Sequence, residues 1–138
     1  AGGRFMPTDK SGVRALYQTL RRGNVAGILP DQVPSGAGSG VFAPFFGIPA
    51  YTILLVSRLA RKTGAPVILT YAERLPQGHG FRIHFLPAPT DIVADDLEIA
   101  CTALNYSVEK CIQNCPAQYQ WSYKRFKRRP ENMTSVYE

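Results

Sequence analysis

Three observations predict an α/β fold. Between Asp9 and Arg22, the residues Val13, Leu16, Tyr17 and Leu20 recur at i, i+3, i+4 and i+7, the spacing of a single apolar helical stripe. Directly after Gly23-Asn24 comes the short apolar run Val25–Leu29, which reads as a buried strand. Further on, 66–73 and 81–86 are rich in β-branched, aromatic and apolar residues on either side of a Pro/Gly turn, the pattern of a hairpin. In order, the predicted elements describe part of an α/β sandwich with a mixed sheet, a hairpin at 66–86 and C-terminal helices.

The first helix has Thr8, Asp9 and Ser11 as candidate caps and Gly23 as its stop. Pro30 has no amide to give to a ladder, so the strand from Val25 ends there. Asp31 and Gln32 then stand at its carboxyl end, where open α/β sheets bind ligands. A glycine-rich loop, 35–40, leads to the apolar and aromatic run Val41–Phe46. Gly47-Ile-Pro-Ala50 is read as a turn into a second helix, 50–62, whose apolar first two turns require burial and which Gly64 stops. After the hairpin, Pro87–Thr90 is a linker. A long amphipathic helix over 95–115 carries Asp95, Asp96 and Glu98 in its first turn, which suits the helix dipole. Pro116 opens a shorter helical stretch through Phe126. The chain is read as one domain, 1–129, with a fraying tail, 130–138.

Composition narrows the class. A chain of 138 residues that is 45% hydrophobic is the size of one domain and can bury a core. No run reaches the roughly 18 to 20 apolar residues that span a bilayer. Ala1-Gly-Gly-Arg-Phe5 is neither a signal peptide nor an initiator methionine, so the chain is expected to be a piece of something longer. The net charge of +6 is uneven, with a basic run at Lys124–Arg129. Three cysteines, an odd count, do not make a secreted disulfide scaffold and suit a reducing compartment.

Asp31-Gln32 is the leading candidate site, against the plainer reading of a turn-forming Asp after a strand. The glycine loop lacks the Gly-Lys-Ser/Thr of a phosphate-binding loop and by itself signals flexibility. His79 and His84 read as exposed polar residues of the hairpin, with no nucleophile or carboxylate beside them in the local sequence. Cys111 and Cys115 share a helical stripe with Leu104 and Val108, so core thiols are favoured over metal ligands, and no metal is assigned. Tyr119, Trp121, Tyr123 and Phe126 pack the last helix onto the domain or, beside the basic run, stack on bases.

Several stretches together resemble the bacterial late acyltransferases of lipid A biosynthesis. They are 13–23, Gly27-Ile-Leu-Pro-Asp-Gln32, Phe45-Phe-Gly47, Ala65-Pro-Val-Ile-Leu69 and 116–126, in the family's order. The resemblance implies the C-terminal part of a glycerolipid acyltransferase-like fold. It implies an enzyme on the cytoplasmic face of the bacterial inner membrane. That enzyme moves a fatty acyl chain from acyl carrier protein to a hydroxyl on the lipid A precursor, with no cofactor or metal. The family's catalytic pair is a His followed five residues later by Asp or Glu, the base and its orienter. Here the residue five after His79 is His84, and five after His84 is Pro89, so no catalytic residue is assigned within the chain and the piece alone is expected to be inactive. Asp31 and Gln32 match the family's Asp-Gln motif at the cleft. Val33 stands where the family often has an acidic residue. Lys10 and Arg14 fall in the segment whose basic residues meet substrate phosphates.

Two expectations about surface follow. Val41–Phe46 and 50–56 would contact the absent half, so the piece is expected to self-associate or to be poorly ordered around 35–40. The alternative reading is a free-standing basic module that binds nucleic acid or anionic membrane through 124–129; the acyltransferase reading has no nucleic-acid partner.

Overall fold

The structure, a computed structural model, describes residues 2–36 and 38–137. Ala37, inside the glycine-rich loop, lies outside the described residues, as do the terminal residues Ala1 and Glu138. Helix α1 spans Lys10–Arg21, and the Asp9 carboxylate accepts from the amides of Ser11 and Gly12 at its start, as the capping pattern predicts. Strands β1 (Gly40–Phe45) and β2 (Ile48–Ile53) pair antiparallel, and helix α2 (Leu55–Thr63) follows. Strands β3 (Ile68–Arg74) and β4 (Phe81–Pro87) form the second antiparallel pair, and the long helix α3 runs from Leu97 to Asn114. The hairpin and the long helix are where the sequence places them.

Helix α3 is the spine. Its Val108 and Ile112 pack with Phe45, Ala50 and Leu69, which joins both hairpins to one helix. Nearer the start of the helix, Cys101 packs with Ala43 and Leu54, and Ala103 and Leu104 close over Ile92. Asp96 caps the helix by accepting from Glu98 and Ile99.

Four expectations are corrected. The sheet is not mixed: there are two separate two-stranded antiparallel sheets among the described residues. Val25–Leu29 has no regular structure and belongs to no ladder among the described residues, and Val25 is 92% exposed where a buried strand was expected. Asp31 therefore lies in a turn after an unpaired segment and not at the end of a central parallel strand. An apolar run specifies a strand only when an edge lies beside it.

The expected helix over 50–62 is instead strand to Ile53 and helix from Leu55. The cause is the two-residue turn Phe46-Gly47, whose φ values of 48° and 76° are both positive, the geometry that closes a tight hairpin. Pro44 and Pro49 face each other across the hairpin. Next to a two-residue turn that pair is a non-hydrogen-bonded one, so neither proline lacks a ladder bond. Ala43, Phe45, Ala50, Tyr51 and Leu54 are consequently buried, and the surface expected to be bare over 41–46 and 50–56 is mostly core.

The fourth correction is the stretch after Pro116, which is a single 3₁₀ turn, Pro116–Gln118, followed by turns. It is held by side chains and not by helical bonds. The Arg125 guanidinium donates to the Tyr51 carbonyl at 2.8 Å and that of Arg129 to the Pro49 carbonyl at 3.0 Å. Both carbonyls belong to the residues of β2 that point away from β1, so these arginines take the place of a neighbouring strand. Beyond them, 130–137 has no regular structure, and the Tyr137 hydroxyl accepts from the Phe126 amide at 2.8 Å.

Candidate functional site

The Asp31–Val33 turn is shaped by the segment after α3. The Val33 amide donates to the Tyr123 hydroxyl at 2.8 Å. Asp31 is half-buried and lies beside Tyr119. Burial first, then the charge of Asp31 and its hydrogen bonding, push the Tyr119 phenol well above its ordinary value, so the phenol stays protonated and can donate. Gln32 is exposed next to it.

Behind the turn is a buried polar network. Thr52 Oγ1, Asn105 and Arg125 are all within a few per cent of full burial. Asn105 Nδ2 donates to Thr52 Oγ1 at 2.9 Å and to the Pro44 carbonyl at 2.9 Å. Arg125 Nη2 donates to Thr52 Oγ1 at 3.0 Å and to Asn105 Oδ1 at 3.3 Å, and its guanidinium lies over the Phe45 ring. Burial pulls the Arg125 pKa down, while Tyr119 and then Asp31 oppose that shift. Asp31 is the carboxylate whose charge bears on this buried cation, so turn and network are electrostatically linked.

An apolar groove of about 610 Å³ opens from the turn. One wall is Val25–Asp31, the other is 65–72, and the floor is the Val108, Ile112 and Cys115 side of α3. Cys111 and Cys115 line this groove and are half-buried, less enclosed than expected of core thiols, whereas Cys101 is fully buried and its thiol is pushed up to about 11 by burial. All three thiols are free.

The basic side chains separate into two groups. Lys10 and Arg14 are exposed one turn apart on α1, which packs against α2. The run Lys124–Arg129 is largely engaged internally. Besides Arg125 and Arg129, Arg128 lies 3.7 Å over the Tyr51 ring, Lys124 over Tyr137 and Lys127 over Tyr123. Arg125 and Arg129 fasten the C-terminal segment, whereas Lys124, Lys127 and Arg128 remain exposed.

Sequence reasoning missed two groupings. Asn105 was the only signal of the polar network, an amide inside the otherwise apolar stripe of α3. His84 meets a carboxylate after all: its Nε2 is 2.9 Å from Glu73 Oε2, and its ring stacks on Tyr71 at 4.5 Å. The register places Tyr71 opposite His84 and Glu73 two pairs along, opposite Arg82, which no local reading of the sequence could join. The hydrogen bond from His84, then Arg82, holds Glu73 below its ordinary value of 4.5. Among the described residues, no three His, Cys, Asp or Glu side chains cluster as a metal site.

Residues 1–128 match the family described as bacterial lipid A biosynthesis acyltransferase. The chain is 35% identical over 130 residues to the lipid A biosynthesis lauroyltransferase of Escherichia coli (strain K12), an alignment covering 94% of this chain and 42% of that protein. It is 30% identical over 129 residues to the lipid A biosynthesis palmitoleoyltransferase of the same strain, covering 93% and 42%. A lipid A biosynthesis acyltransferase of Haemophilus influenzae is 31% identical over 134 residues, again covering 94% of this chain and 42% of its own length. The chain thus spans about 42% of the length of these relatives.

Proposed function

The chain belongs to the bacterial lipid A biosynthesis acyltransferase family, and from that premise we propose that it forms part of an enzyme transferring a fatty acyl chain to a hydroxyl of a lipid A precursor. The donor in this reading is the thioester of acyl carrier protein. The acceptor hydroxyl gives its proton to a general base, its oxygen attacks the thioester carbonyl, and the tetrahedral intermediate collapses to an ester and the carrier thiol. The base is a His-x4-Asp/Glu pair outside these residues, since five positions after His79 stands His84 and five after His84 stands Pro89.

The observation that supports the reading is the Asp31 turn. It is a carboxylate at the mouth of an apolar groove, positioned by Tyr119 and Tyr123 and next to a buried cation. In this role Asp31 and Gln32 hold polar groups of the acceptor in line for attack, and Tyr119 keeps Asp31 oriented. Lys10 and Arg14 contact the phosphates of the precursor by charge-assisted hydrogen bonds. The enzyme works at the cytoplasmic face of the inner membrane, where both substrates meet; no helix among the described residues is long and apolar enough to cross a membrane.

The test is a transfer assay with the intact enzyme that carries this chain, acyl-loaded carrier protein and an underacylated lipid A precursor, read by mass spectrometry. One added acyl chain is expected. Transfer only to a different acceptor, or none at all, contradicts the assignment.

A further inference from the structure

We propose that Trp121 and Phe46 form an aromatic platform on which a sugar ring of the glycolipid acceptor lies, next to Tyr119 and Asp31. Resting on the acyltransferase reading above, this subsite takes the saccharide part of the acceptor, as distinct from its acyl chains and phosphates.

The aromatic side chains start at the candidate site and lead outward from it. Tyr119 lies beside Asp31. The Trp121 amide donates to the Tyr119 carbonyl at 2.9 Å, which makes a tight turn, and the two rings meet edge to face with centroids 4.9 Å apart. Trp121 in turn lies 6.2 Å from the ring of Phe46 at the tip of the first hairpin. Phe46 takes a φ of 48° there, where a tight hairpin turn favours Asn or Gly. Glu109 Oε1 accepts from its amide at 2.7 Å and holds the turn in place. Phe46 is nonetheless 39% exposed and Trp121 59%.

What Trp121 offers a ligand is a flat π surface with no free polar atom. Its indole Nε1 already donates to the Pro116 carbonyl at 2.8 Å. Tyr119 and Phe46 lie at 83° and 44° to the indole, so neither stacks flat on it. Basic side chains lie over Tyr51, Tyr106, Tyr123 and Tyr137, and none lies over Trp121 among the described residues. A pyranose ring matches this surface. Its C–H groups meet the negative face of the indole while its hydroxyls point to the edges. Polar side chains stand at those edges: Glu109 is half-buried at Phe46, and Gln120 and Gln32 are exposed next to Trp121 and Asp31 in the chain. A membrane anchor at the bilayer interface would keep its indole N–H for the headgroup layer, and this one is bound within the fold. A hydrocarbon chain would gain nothing from the carboxylate and the amides.

The experiment compares the intact enzyme with its Trp121→Phe and Trp121→Leu variants. Both substitutions delete the bond to Pro116, so a merely structural role predicts equal effects, and only Phe keeps a flat ring. Trp121→Leu is expected to raise KM for an underacylated lipid A precursor about tenfold, with kcat and the KM for the acyl donor little changed. Trp121→Phe should recover most of that loss. Calorimetric binding of the fully deacylated, water-soluble headgroup of lipid A should weaken in Trp121→Leu by a similar factor. Phe46→Asn supplies the residue that the turn favours, so it should keep the parent's melting temperature and still weaken the acceptor. An unchanged acceptor KM in Trp121→Leu overturns the platform and leaves the acyltransferase reading standing. Headgroup binding that depends on Trp121 in an enzyme that transfers no acyl chain does the reverse. Equal losses in Trp121→Phe and Trp121→Leu overturn the platform as well. A loss confined to acceptor embedded in phospholipid vesicles, with headgroup binding intact, assigns the rings to the bilayer surface and also overturns it.

Discussion

The backbone amide of Val33 donates a 2.8 Å hydrogen bond to the Tyr123 hydroxyl across 90 residues of sequence. This contact joins the turn that carries Asp31 to the segment after α3, so the site depends on parts of the chain that sequence alone does not bring together. Tyr123→Phe removes the acceptor and leaves the Val33 amide without its partner, at a cost of about 1 kcal/mol. The melting temperature should fall by about 3 °C, and kcat/KM of the intact enzyme by about tenfold. A variant with the parent's melting temperature and kinetics would separate Tyr123 from the site.

The buried network behind the turn should be the most sensitive polar spot in the fold. Asn105→Leu deletes bonds to Thr52, Pro44 and Arg125 at once and leaves a buried cation short of an acceptor. Breaking a buried charged network typically costs about 3–5 kcal/mol, readable as a fall in the denaturant midpoint. Asn105→Asp keeps an acceptor and adds a counter-charge for Arg125, so its loss should be smaller. Equal losses in the two variants would show that the Arg125 charge is not what Asn105 serves.

Cys101 gives a pH signature. Burial raises its thiol from 9.0 to about 11, so the folded state favours the protonated form. Its contribution to stability is complete below pH 9.0 and is lost as pH rises through about 11. Native protein should expose Cys111 and Cys115 to a thiol reagent at pH 8 and release Cys101 only on unfolding. Three equally fast thiols would contradict the packing of α3 on β1.

Glu73 has the opposite sign. Its carboxyl is held below 4.5, chiefly by the bond from His84, so the stabilisation it supplies is present above that value and is lost as pH falls through the folded-state pKa. Amide exchange within β3 and β4 should quicken under acid in the parent and change less in Glu73→Gln. An identical acid response in the two proteins would remove the pair from the account.

Much of this was legible in the sequence. Periodicity and caps located α1 and α3, and the β-rich runs on either side of Pro76–Gly80 located the second hairpin. The failures share one physical cause, which is that a strand is completed by its neighbour. Ala50–Ile53 resembles a buried helix until Phe46-Gly47 folds it onto β1. Val25–Leu29 has a strand's composition but no ladder beside it. Asp31 was located by its place after Pro30, whereas Tyr119, Tyr123 and Arg125, which surround it, lie in a stretch that reads as a short helix and folds as an irregular clasp.

The central claim is that Asp31 faces substrate and is held there by the C-terminal clasp. The most direct measurement is kcat/KM for acyl transfer by the intact enzyme carrying Asp31→Asn and Asp31→Ala, with thermal unfolding of each. Losing one preorganised polar group at a reacting centre typically costs about a hundredfold. Both variants are expected to lose at least that much while melting within about 3 °C of the parent, since Asp31 is half-buried at a turn and not part of the core. Parental kcat/KM in both variants would contradict the claim.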